Sequence, residues 1–202
     1  MFHFIQILAA LPLRLFYPTK FHGKKNMPKG ACIISSNHTS NLDAVIFAVH
    51  TWEKKYYLAK KELFKGKLRS AFLKSLGAIK IDRQRSDVTA IKQCLSVLKK
   101  NKKLFIFPEG TRVHNENMEL GEVKQGTAMF AIKAKVSIVP VFIAHKPKIF
   151  RKNHVFIGQP FDLSQFYDKK LSAEELDAAS AVVAQKMNDL RQYAMNSLTK
   201  KK

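Results

Sequence analysis

The chain has 202 residues, enough to bury a sizeable hydrophobic core within a single domain. Lysine and arginine number 36 against 15 acidic residues, and the net charge of +21 favours an anionic partner such as nucleic acid or an anionic membrane. Apolar residues make up 46% of the sequence, which excludes a disordered basic tail. Cys32 and Cys94 have no short metal-ligand spacing and indicate no disulfide framework, which fits a reducing compartment.

An N-terminal apolar helix within residues 1–25 is expected to associate with a membrane without crossing it. Residues 1–17 are strongly apolar, but polar residues and a proline interrupt them, and a spanning helix needs about 20 mostly apolar residues. An interfacial helix would bury its apolar side chains at the headgroup boundary while nearby cations contact lipid phosphates. The apolar residues are Phe2, Phe4, Ile5, Leu8 and Leu15, and the cations are Arg14, Lys20, Lys24 and Lys25. A helix that caps the core would show the same periodicity, so both interpretations remain open.

Residues 26–202 are predicted to form one α/β domain, in which helices flank a mixed and largely parallel sheet. Short apolar runs alternate here with amphipathic segments, which is typical of an α/β fold rather than a β-sandwich. The predicted strands are residues 31–35, 56–59, 78–81, 104–107, 138–144 and 155–158. One predicted helix ends at residues 99–101 and has a buried face made of Val88, Ile91, Leu95 and Leu98. The last helix begins with a capping box at residues 172–175, and its buried stripe is Leu176, Ala179, Val183, Met187 and Leu190.

A histidine and an aspartate, His38 and Asp43, follow the first buried strand of this domain at the turn into a helix. There the imidazole can point into a cleft, and Asp43 can hydrogen-bond the far nitrogen of the ring. The carboxylate would hold the tautomer and stabilise the imidazolium, so that His38 could take a proton from an attacking hydroxyl. A histidine after a strand is also often structural. The pair therefore predicts a general base, with a structural role as the alternative.

The segment 108–112 follows the wholly apolar run 104–107, whose composition is that of a strand buried on both faces. Open α/β sheets place their ligands at the carboxyl ends of such strands. Gly110 permits a tight backbone, Arg112 offers a planar fork for phosphate, and Glu109 could hold that fork or a substrate hydroxyl. A turn with a local ion pair is the simpler interpretation of this segment alone.

Two further segments are suited to an anion. Residues 77–83 end a predicted strand with Arg83, and Lys124 lies just before a predicted helix whose N-terminus favours negative charge. Together with residues 108–112, these strand and helix ends indicate a phosphorylated substrate.

A strongly basic segment extends over residues 51–85, which contain 11 basic residues and 3 acidic ones. Aromatic residues and leucines are interleaved with these charges. Such a run is usually a solvated surface, but its composition also suits a surface that rests on anionic lipid.

In their order and spacing, these residues resemble the motif blocks of the glycerolipid acyltransferases, specifically the 1-acyl-sn-glycerol-3-phosphate acyltransferases. The four blocks are Asn37-His38-x-x-x-x-Asp43, Gly77 through Arg83, Phe107-Pro108-Glu109-Gly110-Thr111-Arg112 and Val139-Pro140-Val141. The segments Ala59-Lys60-Lys61-Glu62-Leu63 and Lys124-x-Gly126 also look like this family, so the resemblance extends over roughly residues 30–160. The chain departs from the family pattern at Lys80, where an apolar or aromatic residue is more usual, and at Val113, where serine is common.

The resemblance implies transfer of a fatty acyl chain to the sn-2 hydroxyl of lysophosphatidic acid, giving phosphatidic acid in phospholipid biosynthesis. The donor would be a thioester of acyl carrier protein or of coenzyme A, with no metal and no other cofactor. His38 would be the general base and Asp43 would orient its ring. The implied substrate-binding residues are Arg83, Glu109, Gly110, Thr111, Arg112 and Lys124, and the implied structural supports of the site are Asn37, Gly77 and Pro140. The implied location is the cytoplasmic face of an anionic membrane, with peripheral or monotopic attachment.

Two alternatives remain at this point. The enzyme could act on another lysophospholipid, or the chain could be a non-catalytic basic protein that binds lipid or nucleic acid. The common nucleic-acid-binding motifs are missing from the sequence, and the arginines of interest follow predicted strands rather than lie along a recognition helix. We therefore expect no nucleic-acid partner.

Overall fold

The computed structural model describes residues 10–51, 53–82, 87–113 and 118–200. The strands are β1 (Thr19–His22), β2 (Cys32–Ser36), β3 (Lys55–Lys60), β4 (Ala78–Ile81), β5 (Lys103–Ile106), β6 (Ser137–Ile143) and β7 (Asn153–Ile157). The helices are α1, which includes residues 10–16, α2 (Asp43–His50), α3 (Lys67–Ser75), α4 (Val88–Lys99), α5 (Gly126–Ala134) and α6 (Ala173–Thr199).

The strands form one sheet in the order β1-β7-β6-β2-β5-β3-β4. The β6–β7 pair is antiparallel and the other pairs are parallel, which confirms the predicted α/β fold with a mixed, largely parallel sheet. All six predicted strands are present to within two residues at each end. β2 lies in the middle of the sheet between β6 and β5, so its carboxyl end is flanked by those of two parallel neighbours.

The sequence did not predict β1, which pairs in parallel with β7 at the edge of the sheet. Its four residues include a single aliphatic or aromatic side chain, Phe21, so no apolar run marks it as a strand. β1 lies within the segment 1–25 that was set apart as membrane-associating. The boundary after residue 25 stays a prediction, but the chain on its N-terminal side contributes a strand to the sheet.

The core has two layers because successive residues of each strand point to opposite faces of the sheet. Ile33 and Leu104 pack with α4, α5 and α6 on one face. Ile34 and Phe105 pack on the other face, where Phe47 of α2 joins them. The helices thus flank the sheet on both sides, as predicted.

The buried face of α4 agrees with the predicted one except at its first position. Val88 is 57% exposed, so its proposed place in the core is wrong. The buried residues of this helix are Ala90, Cys94, Val97 and Leu98. Ile91 and Leu95 are partly buried against the same core cluster, so three of the four predicted residues face the core. Small side chains at positions 90 and 94 allow the helix backbone to approach the sheet closely.

The last helix, α6, follows its prediction closely. Ser172 accepts a hydrogen bond from the backbone of Glu175, and the Glu175 carboxylate accepts one from the backbone of Ser172, which completes the capping box. The buried residues include Ala179, Val183, Met187 and Leu190 of the predicted stripe.

Helix α1 packs on α2 through Arg14, whose guanidinium Nε and Nη2 donate to the carbonyl oxygen of Val49 at 3.1 and 2.7 Å. Arg14 was expected to contact a lipid phosphate. Its guanidinium instead binds a carbonyl near the end of α2, where the helix favours a cation. Leu15 is exposed, as an interfacial residue would be. The other predicted insertion residues, Phe2, Phe4, Ile5 and Leu8, lie outside the described residues. Within the described part of the chain, no helix has the length and apolar character that a membrane crossing requires.

Two of the chain's lysines, Lys55 and Lys103, are buried at the amino ends of β3 and β5. Lys55 is 2% exposed, and its ammonium donates to the carbonyl oxygen of Glu53 at 2.8 Å. Lys103 forms an ion pair with the carboxylate of Glu53. Lys55 was counted in the basic surface of residues 51–85, and that assignment is wrong. The aliphatic stem of this lysine fills the core, and its ammonium is satisfied by backbone carbonyls.

Lys55 predicts an unusual pH dependence of stability. Burial lowers the pKa of its ammonium from 10.5 to about 8. Between pH 8 and 10.5 the unfolded chain therefore holds a proton that the folded chain has released, so the free energy of unfolding rises with pH in this range. We expect that rise to exceed that of Lys55→Met by on the order of 3 kcal/mol, since one pKa unit corresponds to about 1.4 kcal/mol. Urea denaturation of both proteins at several pH values measures the difference, and two parallel pH curves would contradict the prediction.

Candidate active site

The carboxyl end of β2 carries the predicted histidine–aspartate pair. His38 follows this strand by two residues, and Asp43 is the first residue of α2. His38 Nδ1 and Asp43 Oδ2 are 3.0 Å apart. The His38 side chain is 15% exposed and that of Asp43 is fully buried, so only the histidine can reach a ligand. The structure brings the two residues together as predicted.

Asp43 is held by the turn that it terminates. Its Oδ2 accepts hydrogen bonds from the backbone amides of Thr39 at 2.6 Å and Ser40 at 2.7 Å, and its Oδ1 accepts one from Thr39 Oγ1 at 3.0 Å. The start of a helix also favours negative charge. With the carboxylate accepting from these donors, the geometry places a proton on His38 Nδ1 and leaves the Nε2 lone pair for a ligand.

Phe107 holds the other side of the histidine ring. The two rings stack with centroids 3.8 Å apart and an angle of 15° between their planes. Phe105, two residues earlier on the same face of β5, packs edge-on against Phe107 at 5.1 Å. The sequence places Phe107 in a motif but predicts no role for it. Its position directly after β5, which runs parallel to β2, was a signal that it would lie near His38.

The loop after β5 fixes the backbone of His38. Glu109 Oε2 accepts a hydrogen bond from the His38 amide at 3.2 Å, and Oε1 accepts one from the Gly121 amide at 3.2 Å. The amide of Val113 donates to the His38 carbonyl oxygen at 3.0 Å. Burial raises the pKa of the Glu109 carboxyl, and the two amide hydrogen bonds oppose that rise. Glu109, predicted to bind substrate, therefore makes its observed contacts with the backbone that carries the histidine.

Asn37, directly after β2, and Pro140, in β6, connect the site to the neighbouring strand. Asn37 Nδ2 donates to the Ile143 carbonyl oxygen at 3.1 Å and Oδ1 accepts from the Ile143 amide at 2.7 Å, so the side chain extends the ladder between β2 and β6. Pro140 pairs in register with Ser35, and its carbonyl oxygen accepts from the Gly158 amide. The missing amide hydrogen of Pro140 faces the irregular stretch after β7, where the ladder does not require it.

Gly77 lies at the opposite edge of the sheet from His38, because it directly precedes β4. Its φ is +90°, and a Cβ atom there would lie 2.4 Å from the Lys55 carbonyl oxygen. Glycine is required for this close approach of the chain to β3. Its support of the site can only act through the sheet.

Four of the six predicted substrate-binding residues border two adjacent cavities. The first cavity, of about 570 Å³, contains His38 with Thr111 and Arg112. The second, of about 310 Å³, contains Gly110 and Lys124. Leu58 and Phe107 border both cavities. Of the other two predicted residues, Glu109 lines neither of these cavities and Arg83 lies outside the described residues.

Gly110 and Lys124 lie against each other in the second cavity. Gly110 has a φ of +69°, and a Cβ atom at this position would lie 3.5 Å from the last carbons and the ammonium of Lys124. The backbone amide of Lys124 donates to the Pro108 carbonyl oxygen at 3.0 Å. In the described part of the chain, no group of three or more histidines, cysteines or acidic residues is arranged to hold a metal ion.

Asn37 offers a test of the support from β6. Asn37→Leu should lower the free energy of unfolding by about 2–4 kcal/mol, because it leaves a buried amide and a buried carbonyl of Ile143 without partners. Urea denaturation measures this change. The matched control is Asn196→Leu on the exposed side of α6, which should change stability by less than about 0.5 kcal/mol. Equal effects of the two substitutions would show that the Asn37 amide does not hold the strands together.

Comparison with known proteins gives relatives that are named 1-acyl-sn-glycerol-3-phosphate acyltransferases. The chain is 31% identical over 153 residues to a chloroplast 1-acyl-sn-glycerol-3-phosphate acyltransferase of Brassica napus, with 73% of this chain and 43% of that protein covered. It is 29% identical over 178 residues to the 1-acyl-sn-glycerol-3-phosphate acyltransferase of Bacillus subtilis, with 85% and 87% covered. The chain thus spans less than half the length of the chloroplast relative and most of the bacterial one.

A solved structure shares the fold. The crystal structure of the lysophosphatidic acid acyltransferase PlsC from Thermotoga maritima matches 94% of this chain and 78% of that one, with a TM-score of 0.65 and 21% sequence identity. The sequence pattern of the family described as Acyltransferase matches residues 18–144, which include the His38 pair and the loop that holds it. Because this match extends over more than half of the chain, the protein belongs to the acyltransferase family.

Proposed function

We propose that the protein transfers a fatty acyl chain from an acyl thioester to the sn-2 hydroxyl of lysophosphatidic acid, giving phosphatidic acid. The observation that carries the proposal is the His38–Asp43 pair, held by a stacked Phe107 ring in a cavity that also contains Arg112. The names of the relatives from Brassica napus and Bacillus subtilis support this choice of substrate within the family.

In the proposed reaction, His38 Nε2 takes the proton of the sn-2 hydroxyl as the oxygen attacks the thioester carbonyl. Asp43 stabilises the imidazolium that forms, because its carboxylate accepts from Nδ1. When the tetrahedral intermediate collapses, the imidazolium returns the proton to the departing thiolate. The stacked Phe107 ring keeps the imidazole in one plane during both transfers.

Direct attack by the lipid hydroxyl agrees with the surroundings of the potential protein nucleophiles. Ser35 and Ser36 are buried, and their hydroxyls donate to the Met187 sulfur and to the Asn37 carbonyl oxygen. Burial raises the pKa of the Cys32 thiol to about 12. None of these three groups is activated by His38, so the proposed mechanism has no acyl-enzyme intermediate.

The phosphate of the acceptor is assigned to the basic groups at the two cavities. Arg112 offers its fork beside His38, and Lys124 lies next to Gly110 in the neighbouring cavity. Roles for Arg83, Thr111 and Glu109 in substrate binding remain part of the proposal. The alternative acceptor is another lysophospholipid with an accessible hydroxyl, which could use the same general base. The choice between these acceptors depends on the headgroup that the basic residues bind.

The proposed donor is the thioester of acyl carrier protein or of coenzyme A, and the chemistry requires no metal or other cofactor. An amphiphilic acceptor places the enzyme at a membrane surface, for which we propose peripheral or monotopic attachment to the anionic cytoplasmic face. Two exposed apolar residues of α3, Leu68 and Phe72, support this attachment because lysines and an arginine lie beside them in the same helix. Leu11 and Leu15 of α1 are exposed as well.

Removal of the general base tests the reaction. His38→Ala should lower kcat by about two to four powers of ten, because loss of a well-placed base removes that much rate, while circular dichroism remains that of the wild type. Asp43→Asn should also be severe, since the amide cannot stabilise the imidazolium. His50→Ala, at the other end of α2, is the matched control and should retain near wild-type turnover. A folded His38→Ala protein with normal turnover would refute the assignment.

Arg112 tests the recognition of phosphate. Arg112→Ala should raise the KM for lysophosphatidic acid about tenfold or more and leave the KM for the acyl donor nearly unchanged, because only the acceptor presents its phosphate to the fork. Arg112→Lys should restore part of the affinity, since it keeps the charge and loses the bidentate geometry. Steady-state kinetics with each substrate varied in turn measure both constants. The control is Lys133→Ala on the exposed surface near the end of α5, and an equal rise in both KM values of Arg112→Ala would contradict the role.

A further inference from the structure

The loop between β6 and β7, residues 144–152, presents two apolar side chains among cations. Ile149 is 55% exposed and Phe150 is 73% exposed. The exposed cations of the loop are Lys146, Lys148, Arg151 and Lys152, and its sequence contains no acidic residue. Exposed aromatic and aliphatic side chains ringed by positive charge match an anionic, amphiphilic surface.

The loop is built to hold these side chains outward. Asn153 is buried, and its Oδ1 accepts a hydrogen bond from the Lys148 amide at 3.3 Å while its Nδ2 donates to the Arg151 carbonyl oxygen at 2.9 Å. Phe150 has a φ of +57°, a left-handed conformation that is strained for a bulky side chain. Most of the Phe150 side chain stays exposed in this strained conformation, and contact with an external apolar partner would remove that surface from water.

The loop joins the N-terminal helix in one surface. The Phe150 amide donates to the Phe16 carbonyl oxygen at 2.8 Å, and the two rings lie 5.5 Å apart. Leu11 and Leu15, on the same helix as Phe16, are also exposed. The apolar surface therefore continues from the loop tip onto α1.

This surface lies at the same edge of the sheet as the candidate active site. β6 runs parallel to β2, and its last residue, Ile143, is bonded to the Asn37 side chain next to His38. The loop starts at the following residue. Whatever the loop binds is therefore held against the edge at which His38 opens.

We propose that residues 146–152 form a lipid-inserting loop, in which Ile149 and Phe150 enter the acyl region of an anionic bilayer while the surrounding cations contact lipid phosphates. Lipid can surround a protruding side chain on every side, whereas a protein partner would need a pocket shaped for it. The inference rests on the membrane association proposed above and adds a second insertion point to it, on the far half of the sheet from α3. Each cation near an anionic surface adds to the attraction, so the loop needs no deep insertion to bind.

Vesicle co-sedimentation tests the loop in the absence of any substrate. A negative result would therefore contradict lipid insertion without contradicting the proposed reaction. Ile149→Ser combined with Phe150→Gly should bind phosphatidylglycerol-containing vesicles about tenfold more weakly than wild type. The glycine relieves the strain at φ +57°, which protects the fold. The matched control is Val88→Ser, another exposed apolar residue, on the helix that packs on β4 and β5, and it should bind as wild type does.

A fluorescent probe reports insertion itself. The chain has a single tryptophan, Trp52, so Phe150→Trp in a Trp52→Phe background places the only indole at the loop tip. On anionic vesicles the emission of this indole should shift to shorter wavelength, and lipids brominated on the acyl chain should quench it. A vesicle-bound protein whose loop-tip indole shows neither a shifted nor a quenched emission would overturn the proposal.

An acidic protein is the main competing occupant of the same surface. If the double variant binds vesicles as well as wild type but binds acyl carrier protein more weakly, the loop is a protein-docking surface and the proposal is wrong. Loss of vesicle binding with unchanged affinity for acyl carrier protein supports lipid insertion. The same variant should keep its activity on a short-chain, soluble acceptor and lose activity on vesicles.

Discussion

The buried carboxylate of Asp43 is the constraint on which the candidate site depends. A buried charge is unfavourable unless hydrogen bonds replace its hydration, and here Thr39, Ser40 and His38 supply them within one turn of chain. The same bonds fix the start of α2 directly after β2. The charge requirement of one side chain therefore determines both the path of the backbone and the direction of the imidazole. Asparagine in its place could donate to the Thr39 hydroxyl and accept from the two backbone amides, but it would carry no charge to stabilise an imidazolium.

His38 is restrained by three independent parts of the chain. Asp43 fixes its Nδ1 from the following helix, Phe107 fixes the plane of its ring from β5, and Glu109 with Val113 fixes its backbone from the next loop. Each restraint acts on a different degree of freedom, so the ring can keep one orientation in the absence of a ligand. That is the preorganisation a general base needs, since proton transfer depends on a donor–acceptor geometry within hydrogen-bond distance. The same need for preorganisation gives a reason why the Glu109 carboxylate, which the family resemblance assigns to substrate binding, accepts a hydrogen bond from the His38 amide.

The sequence was sufficient for the framework because the strands of a largely parallel sheet appear as short apolar runs. β2 and β5 are buried throughout, and the less buried β3 and β4 still carry enough apolar residues to be recognised. The five-residue spacing of His38 and Asp43 was sufficient to predict their contact, because the two residues lie within one turn of chain. Contacts between distant segments left no such pattern. The Glu109 hydrogen bond to His38 joins residues 71 positions apart, and β1 has too little apolar character to be recognised. The exposure of Val88 and the burial of Lys55 were missed because a local pattern gives residue type and period, whereas packing decides which side chains the core accepts.

The positive charge of the chain has different functions at the two edges of the sheet. At the amino ends of β3 and β5, the buried ammonium of Lys55 donates to backbone carbonyls and that of Lys103 pairs with Glu53, so neither contacts a partner outside the protein. At the carboxyl ends, Arg112 and the cations of the β6–β7 loop are exposed. Exposed charge acts over a Debye length of about 8 Å at physiological ionic strength, so these groups attract an anion only from nearby. An anionic surface that attracts this edge therefore also orients it, and the opening beside His38 then faces the source of an amphiphilic acceptor.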